Sequence, residues 1–319
     1  MTSAPGFDAI QAARRRISGS VRRTPVLVSE ALDEELGAAL YFKCENLQRA
    51  GAFKARGAFN AVLSLSPQQA SRGVVTHSSG NHGAALALAA RSRGIPAYVV
   101  APRTTPQSKQ QNMRRYGAQL QLCEPTLAAR QERAEQIVAA TGATLIHPYD
   151  NAEVMAGQGT VALELLEQVP DLNVIVCPIG GGGLISGTAV AAQGLDARMA
   201  ILGAEPAGAD DALRSRTAGV ITAVAQPSSL ADGLLATIAP STFEVIRTRV
   251  AAVGTVTEAQ IVAAMRRVWD ELRILIEPSS AVPVAALLNG SLEVAGRRVG
   301  VILTGGNVDL QRLPWDATA

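Results

Sequence analysis

Short apolar runs bounded by glycine or proline alternate along this chain with longer stretches of helical periodicity, and that alternation leaves few folds open. LYFKC near residue 40, GVVTH near 75, AYVVAP near 98, QLQLC near 120, VIVCP near 175, AILGAEP near 201 and VGVILTG near 300 read as strands. NHGAALALAARSRG, LAARQERAEQIVAATG, AEVMAGQGTVALELLEQV and EAQIVAAMRRVWDELR read as helices between them. Strand followed by helix, many times over, predicts an α/β fold with mostly parallel sheets covered by helices. The 319 residues suffice for one large or two medium domains, and no repeat or low-complexity linker interrupts them.

Composition removes several function classes. With 48% hydrophobic and 18% charged residues the chain is globular rather than disordered. No apolar run reaches the roughly 18 to 20 residues of a membrane span. The N-terminal MTSAPGFDAIQAARRRISG lacks an apolar signal core, so a cytoplasmic setting is expected. Cys44, Cys123 and Cys177 are too few and too scattered for a disulfide framework or a thiolate metal cluster, and are expected as small buried hydrophobes. The net charge of +2 is spread along the chain, which argues against nucleic acid. Arg14, Arg15 and Arg16 are expected on the solvated face of a helix.

In open α/β sheets a ligand lies beyond the carboxyl ends of the strands, so the loops there are where chemistry is sought. THSSGNHGAAL, residues 76 to 86, brings Ser78, Ser79 and Asn81 beside the free N–H groups of a helix N-terminus. Such a place seats a carboxylate, although the same residues also serve as a plain helix cap. CPIGGGGLISG, residues 177 to 187, has four consecutive glycines that let backbone N–H groups wrap a bulky anion, with a helix dipole behind them. No GK[ST] follows, and the spacing is not GxGxxG with an acidic residue about 20 positions on, so neither a nucleoside triphosphate loop nor a dinucleotide fold is indicated. VILTGGNVDL, residues 301 to 310, puts Thr304 at a strand end with Gly305 and Gly306 behind it.

Lys54 stands in GAFKARGAFN with no carboxylate near it in sequence. Burying an unpaired ammonium is costly enough that the group tends to neutralise, and a neutral amine is a nucleophile. A reactive lysine, a phosphate cradle, a carboxylate seat and a strand-end hydroxyl together match the needs of pyridoxal phosphate. A nicotinamide-dependent dehydrogenase lacks its motif here, and a non-catalytic binding protein has no use for Lys54.

CENLQRAGAFKARGAFN, VVTHSSGNHGAALALAA, PIGGGGLISG, AEPAGADD, ADGL, LIEPSSAV and LTGGNVDL occur in this order. They resemble the serine racemase and serine/threonine dehydratase family of fold-type II pyridoxal phosphate enzymes, which includes 3-hydroxyaspartate dehydratases. SSGNHG and GGGG differ from the corresponding loops of the cysteine synthases. The chain ends soon after LTGGNVDL, so a C-terminal regulatory domain and feedback control by isoleucine are not expected. The resemblance implies two open twisted, mostly parallel sheets flanked by helices, like the tryptophan synthase β fold. It implies a large cofactor-binding domain of residues 1–72 and 151–319, a small mobile domain of residues 73–150, and a homodimer.

Residue by residue, the resemblance makes Lys54 the lysine bonded to the cofactor and the base on one face of Cα. Phe53 packs on the cofactor, Asn81 contacts its ring hydroxyl, and the backbone of Gly180, Gly181, Gly182 and Gly183 holds its phosphate. Thr304 meets the ring nitrogen. Ser78, Ser79, Asn81 and His82 hold the substrate carboxylate, with Ser79 opposite Lys54. Ala52, where many relatives have serine, leaves the lysine untouched. The neutral Thr304 hydroxyl leaves the ring nitrogen largely unprotonated, so charge stays near Cα and loss of a β-hydroxyl is favoured over transamination. The expected reaction is elimination of water from a β-hydroxy amino acid, giving an oxo acid and ammonia, with serine racemisation as the alternative.

Two further sites are expected. Arg130 in TLAARQERA is either a surface arginine or, in the domain that closes over the substrate, the partner of a second carboxylate, as in 3-hydroxyaspartate. AEPAGADDAL offers Glu205, the carbonyl of Ala209 and Asp211, hard oxygen donors suited to Mg²⁺ or Ca²⁺. Acidic turns are often empty. The resemblance implies a cation at these positions.

Overall fold

The computed structural model describes residues 3–310 and 313–315. Its strands are β1 (Val26–Leu27), β2 (Ala39–Cys44), β3 (Val74–His77), β4 (Ala97–Pro102), β5 (Gln119–Cys123), β6 (Thr144–Leu145), β7 (Val174–Pro178), β8 (Ala200–Pro206), β9 (Ala252–Val256) and β10 (Arg298–Leu303). They form a six-stranded sheet in the order β1-β2-β10-β7-β8-β9 and a four-stranded sheet in the order β5-β4-β3-β6. Every pairing is parallel except β1 with β2. Each of the seven runs read as strands forms one. The readings missed β1, β6 and β9: two residues carry no periodicity, and AVGTV has a glycine at its centre.

Burial follows the architecture. All five residues of β7 are buried, as a parallel strand covered on both faces requires. On one side of the large sheet Phe42, Val176, Val301 and Leu303 pack with Val268, Val282 and Leu287 from helices. On the other, Ile175, Ile201 and Ile302 meet Ile10, Leu165 and Ile185. β5, at the edge of the small sheet, buries only Cys123 fully. Cys44 and Cys177 are buried as well, and none of the three is bonded to another. Arg14, Arg15 and Arg16 lie exposed on the Phe7–Ile17 helix. Among the described residues no helix is long and apolar enough to cross a membrane.

The site is positioned by what happens at the strand ends. After β10 the chain turns so that Ala52 and Gly305 form an isolated antiparallel bridge, and the N–H of Phe53 donates to the carbonyl of Thr304 at 2.9 Å. The start of the Lys54–Ser64 helix is thereby anchored to the end of β10. The Asn81–Arg93 helix follows β3, and the Gly183–Leu195 helix follows β7.

Candidate active site

Lys54 is half-buried at the first position of its helix. Its Nζ donates to the carbonyl of Pro148 at 3.2 Å. Burial pushes the amine down to about 8, and the Glu277 carboxyl opposes that shift only in part. Desolvation without an ion pair thus supplies neutral amine not far above neutral pH.

The glycine loop is held so that its N–H groups stay free. Among the described residues, none of Gly180, Gly181, Gly182 or Gly183 donates its N–H to a protein acceptor. The carbonyl of Gly181 is instead taken by the Thr242 hydroxyl at 2.9 Å, which turns the loop. Gly182 has φ +85°, a conformation that side chains disfavour. A Cβ on Gly181 would lie 2.4 Å from the ring of Tyr149. Free N–H groups, a helix start and bare Cα atoms fit a phosphate.

Ser78, Ser79, Asn81 and His82 surround the start of the Asn81–Arg93 helix. The Ser78 hydroxyl accepts from the N–H of Gly80 at 3.3 Å and of Gly83 at 3.1 Å, so it serves the helix end as well. The Ser79 hydroxyl has no protein partner among the described residues. His82 is buried with neither ring nitrogen in a hydrogen bond; the Ile146 carbonyl lies near it without bonding geometry. Buried polar atoms of this kind normally have partners, so orphaned nitrogens beside a helix N-terminus fit a bound carboxylate.

Burial, and then the nearby Lys54, hold His82 well below its ordinary pKa. His77 is lowered to about 4 by burial, with His147 and the Arg130 guanidinium adding to the effect. His147 is lowered as well, by burial foremost. The rings of His77 and His147 meet edge-on at 5.1 Å, and those of His147 and Tyr149 at 4.6 Å. All three histidines of the chain thus gather here as neutral rings. Arg130 is half-buried in the first turn of the Leu127–Thr141 helix, where its Nε donates to the carbonyl of Thr126 at 3.4 Å. It stands close enough to His77 and Tyr149 for its charge to act on both.

Thr304 is buried, and Phe53 lies half-buried beside Lys54. Asn81 makes a contact that its sequence position did not disclose: its Nδ2 donates to the carboxyl of Glu277, Oε1 at 2.8 Å and Oε2 at 3.0 Å. Glu277 belongs to LIEPSSAV, but no spacing rule connects it to Asn81.

Glu205, at the end of β8, is fully buried; its Oε1 accepts from the N–H of Ala212 at 3.0 Å and its Oε2 from that of Leu213 at 2.9 Å. Asp211 is also buried, and its Oδ2 accepts from the N–H of Ile238 at 2.8 Å. Burial pushes Glu205 up to about 8 and Asp211 up to about 6, with Asp210 raising both further. Glu205, Ala209 and Asp211 are buried together in the turn after β8, and among the described residues no group of three or more Asp, Glu, His or Cys side chains is placed to hold a metal ion, so any cation here would rely on the two carboxyls and a carbonyl.

The chain matches the family described as pyridoxal-phosphate dependent enzyme over residues 17–305. It is 50% identical over 312 residues to the beta-hydroxyaspartate dehydratase of Paracoccus denitrificans (strain Pd 1222), covering 98% of this chain and 99% of that protein. It is 48% identical to the serine racemase of Arabidopsis thaliana, with 97% of this chain and 94% of that protein covered. The solved structure of maize serine racemase superposes with a TM-score of 0.95 at 45% identity, covering 98% of this chain and 97% of that one. Since the family match spans Lys54, the glycine loop and Thr304, and the likeness to relatives runs nearly end to end, the chain belongs to the family of pyridoxal-phosphate-dependent enzymes.

Proposed function

We propose that the protein is an ammonia-lyase that removes water from a β-hydroxy L-amino acid, with 3-hydroxyaspartate the substrate its site suits best. The observation that carries the reaction class is the half-buried Lys54 amine, lowered to about 8, at the start of a helix anchored to the end of β10. The likeness to a beta-hydroxyaspartate dehydratase and the place of Arg130 near His77 and Tyr149 support the substrate.

Bound pyridoxal phosphate supplies an electron-withdrawing ring that accepts charge when a proton leaves Cα. The N–H groups of Gly180 to Gly183 would hold its phosphate, Phe53 would pack on it, Asn81 would meet its ring hydroxyl and Thr304 its ring nitrogen. Ser78, Ser79, Asn81 and His82 orient the substrate carboxylate. Lys54 would take the Cα proton from its own face and return it to the leaving β-hydroxyl, which departs as water. The enamine released is hydrolysed to an oxo acid and ammonia.

A cation held by Glu205, the Ala209 carbonyl and Asp211 orders the turn after β8. The smaller domain of residues 73–150 closes over the substrate against residues 1–72 and 151–319. A homodimer in the cytoplasm completes the reading, and free cysteines suit that reducing setting. Serine racemisation is the second reading, supported by likeness to serine racemases and by the free hydroxyl of Ser79. The test is a panel of L- and D-serine, threonine and 3-hydroxyaspartate scored for oxo acid and for inversion. Oxo acid from a β-hydroxy L-amino acid is expected; inversion alone, with no oxo acid, overturns the lyase reading.

A further inference from the structure

Glu277 is buried at the cap of the Pro278–Leu288 helix, and the chemistry above gives it no task. Its place is nevertheless built with care. Its own N–H donates to the carbonyl of Gly305 at 2.9 Å, and the N–H of Asn307 lies near its carboxyl and favours the ionised form. A Cβ on Gly305 would lie 2.4 Å from Oε1, so only glycine leaves room for the carboxyl there. Both of its oxygens face Nδ2 of Asn81. The opposite end of the same amide, Oδ1, accepts from Nδ2 of Asn307 at 2.9 Å, and that nitrogen also donates to the carbonyl of Ala50 at 2.8 Å.

We propose that Glu277 is a positioning residue that locks the amide of Asn81, with Asn307 holding the other end, so that one N–H of Asn81 stays directed at the cofactor's ring hydroxyl. This rests on the reading of Asn81 as a cofactor contact. The oxygens of one carboxyl subtend a smaller angle at Nδ2 than its two N–H bonds do, so they share one hydrogen and the second remains free. A carboxylate on the nitrogen side and an amide donor on the oxygen side forbid the flipped orientation, in which like partners would meet. The lock joins three separated segments, the Asn81 helix, the Glu277 helix and the loop after β10.

Charged groups face Glu277 from several elements: Lys54, Lys109 of the Gln107–Arg115 helix, and Asp232 of the Asp232–Leu234 turn, these last two forming an ion pair. Burial raises Glu277 to about 7, Asp232 adds to the rise, and the Asn81 bond and Lys109 oppose it. Ionised Glu277 accepts with both oxygens, so the hold on Asn81 strengthens as pH rises through about 7.

The experiment measures the dissociation constant and absorption band of pyridoxal phosphate on the unmodified protein, Glu277→Leu, Glu277→Gln, Asn81→Ala and the double variant Asn81→Ala/Glu277→Leu. Each of Glu277→Leu and Asn81→Ala is expected to weaken the cofactor about 10- to 100-fold and to shift the band, as loss of a charged hydrogen bond does. The double variant is expected to be no weaker than the worse single one, because both remove the same interaction. Glu277→Gln keeps one acceptor and should retain most of the affinity, even where Glu277→Leu folds poorly. Additive losses, or an unchanged constant and band in Glu277→Gln and Glu277→Leu alike, overturn the lock while leaving the cofactor reading intact. Failure of the unmodified protein to take up pyridoxal phosphate overturns that reading and the lock with it.

Discussion

Arg56 grips Glu45 at two points inside the protein, Nη2 to Oε1 at 2.7 Å and Nε to Oε2 at 2.8 Å. Glu164 takes the rest of the fork at 3.0 and 3.1 Å, and Lys43 Nζ reaches the same Glu164 at 2.6 Å. Two cations and two carboxylates thereby balance one another, with Lys43, Arg56 and Glu45 buried and Glu164 at the edge of the network. Arg56 lies in the first turn of the helix that Lys54 opens, so this network holds the helix, and with it the amine, against Glu45 and the Ala152–Gln168 helix.

Replacing Arg56 with leucine should cost about 3–5 kcal/mol, because Glu45 is left buried without its partner. Urea unfolding of the cofactor-free protein measures this. A loss below about 1 kcal/mol, the worth of an exposed pair, would mean that the network carries little of the helix's stability.

Lys54 should react as a neutral amine at unusually low pH. Its pKa is lowered from 10.5 to about 8, so the unprotonated form prevails above about 8 in the folded protein and only above the ordinary lysine range in the unfolded one. Reductive trapping of pyridoxal phosphate on Lys54, followed by mass spectrometry across pH, should show a half-maximal rate near pH 8. The same signs make the folded apo-protein more stable as pH rises from about 8 to 10.5, because over that window the unfolded lysine binds the additional proton. A midpoint near 10.5 would mean that burial does not tune the amine.

Removing divalent cations should lower the melting temperature, and Mg²⁺ or Ca²⁺ should restore it through mass action on the folded state. Glu205→Ala should abolish the response to cation, while the helix it caps loses about 0.5–2 kcal/mol. Equal melting temperatures with chelator and with millimolar Mg²⁺ or Ca²⁺ would remove the cation from the account of this site.

The legible part of the molecule is the part set by local pattern. VIVCP followed by GGGG and a helix needs only neighbouring residues to specify strand, anion-binding turn and helix, and the fold shows them as β7, the loop pinned by Thr242 and the Gly183–Leu195 helix. Lys54 could be singled out because nothing near it in sequence balances its charge. Its actual electrostatic neighbour, Glu277, arrives from the far end of the chain, as does Asn307 to Asn81. Arg56 with Glu164, and His77 with His147, are likewise joined only by packing between elements. Periodicity and turn chemistry act over a few residues, so pairings made by tertiary contact leave no trace in either.

Arg130 should separate substrates by charge. If its guanidinium pairs the second carboxylate of 3-hydroxyaspartate, Arg130→Ala should lower kcat/KM for that substrate about 10- to 100-fold and leave serine nearly untouched. Its charge acts on His77 and on Tyr149, and Tyr149 follows the Pro148 whose carbonyl accepts from Nζ of Lys54. Equal losses for the two substrates would return Arg130 to the helix surface.

Ser79 decides whether Cα can be inverted. Inversion needs proton removal on one face and delivery on the other, and Lys54 serves only its own. Elimination needs no second group, since the β-hydroxyl leaves once Lys54 has taken the Cα proton. The Ser79 hydroxyl has no protein partner among the described residues, and in the function proposed above it is the donor on the opposite face. Ser79→Ala should therefore abolish racemisation and elimination from D-substrate while L-substrate elimination continues at a usable rate. The check is a comparison of L-elimination, D-elimination and hydrogen exchange at Cα in deuterated water. Should L-elimination fall as far as racemisation, Ser79 is a carboxylate-binding residue common to both reactions, and the assignment of one face to each group fails.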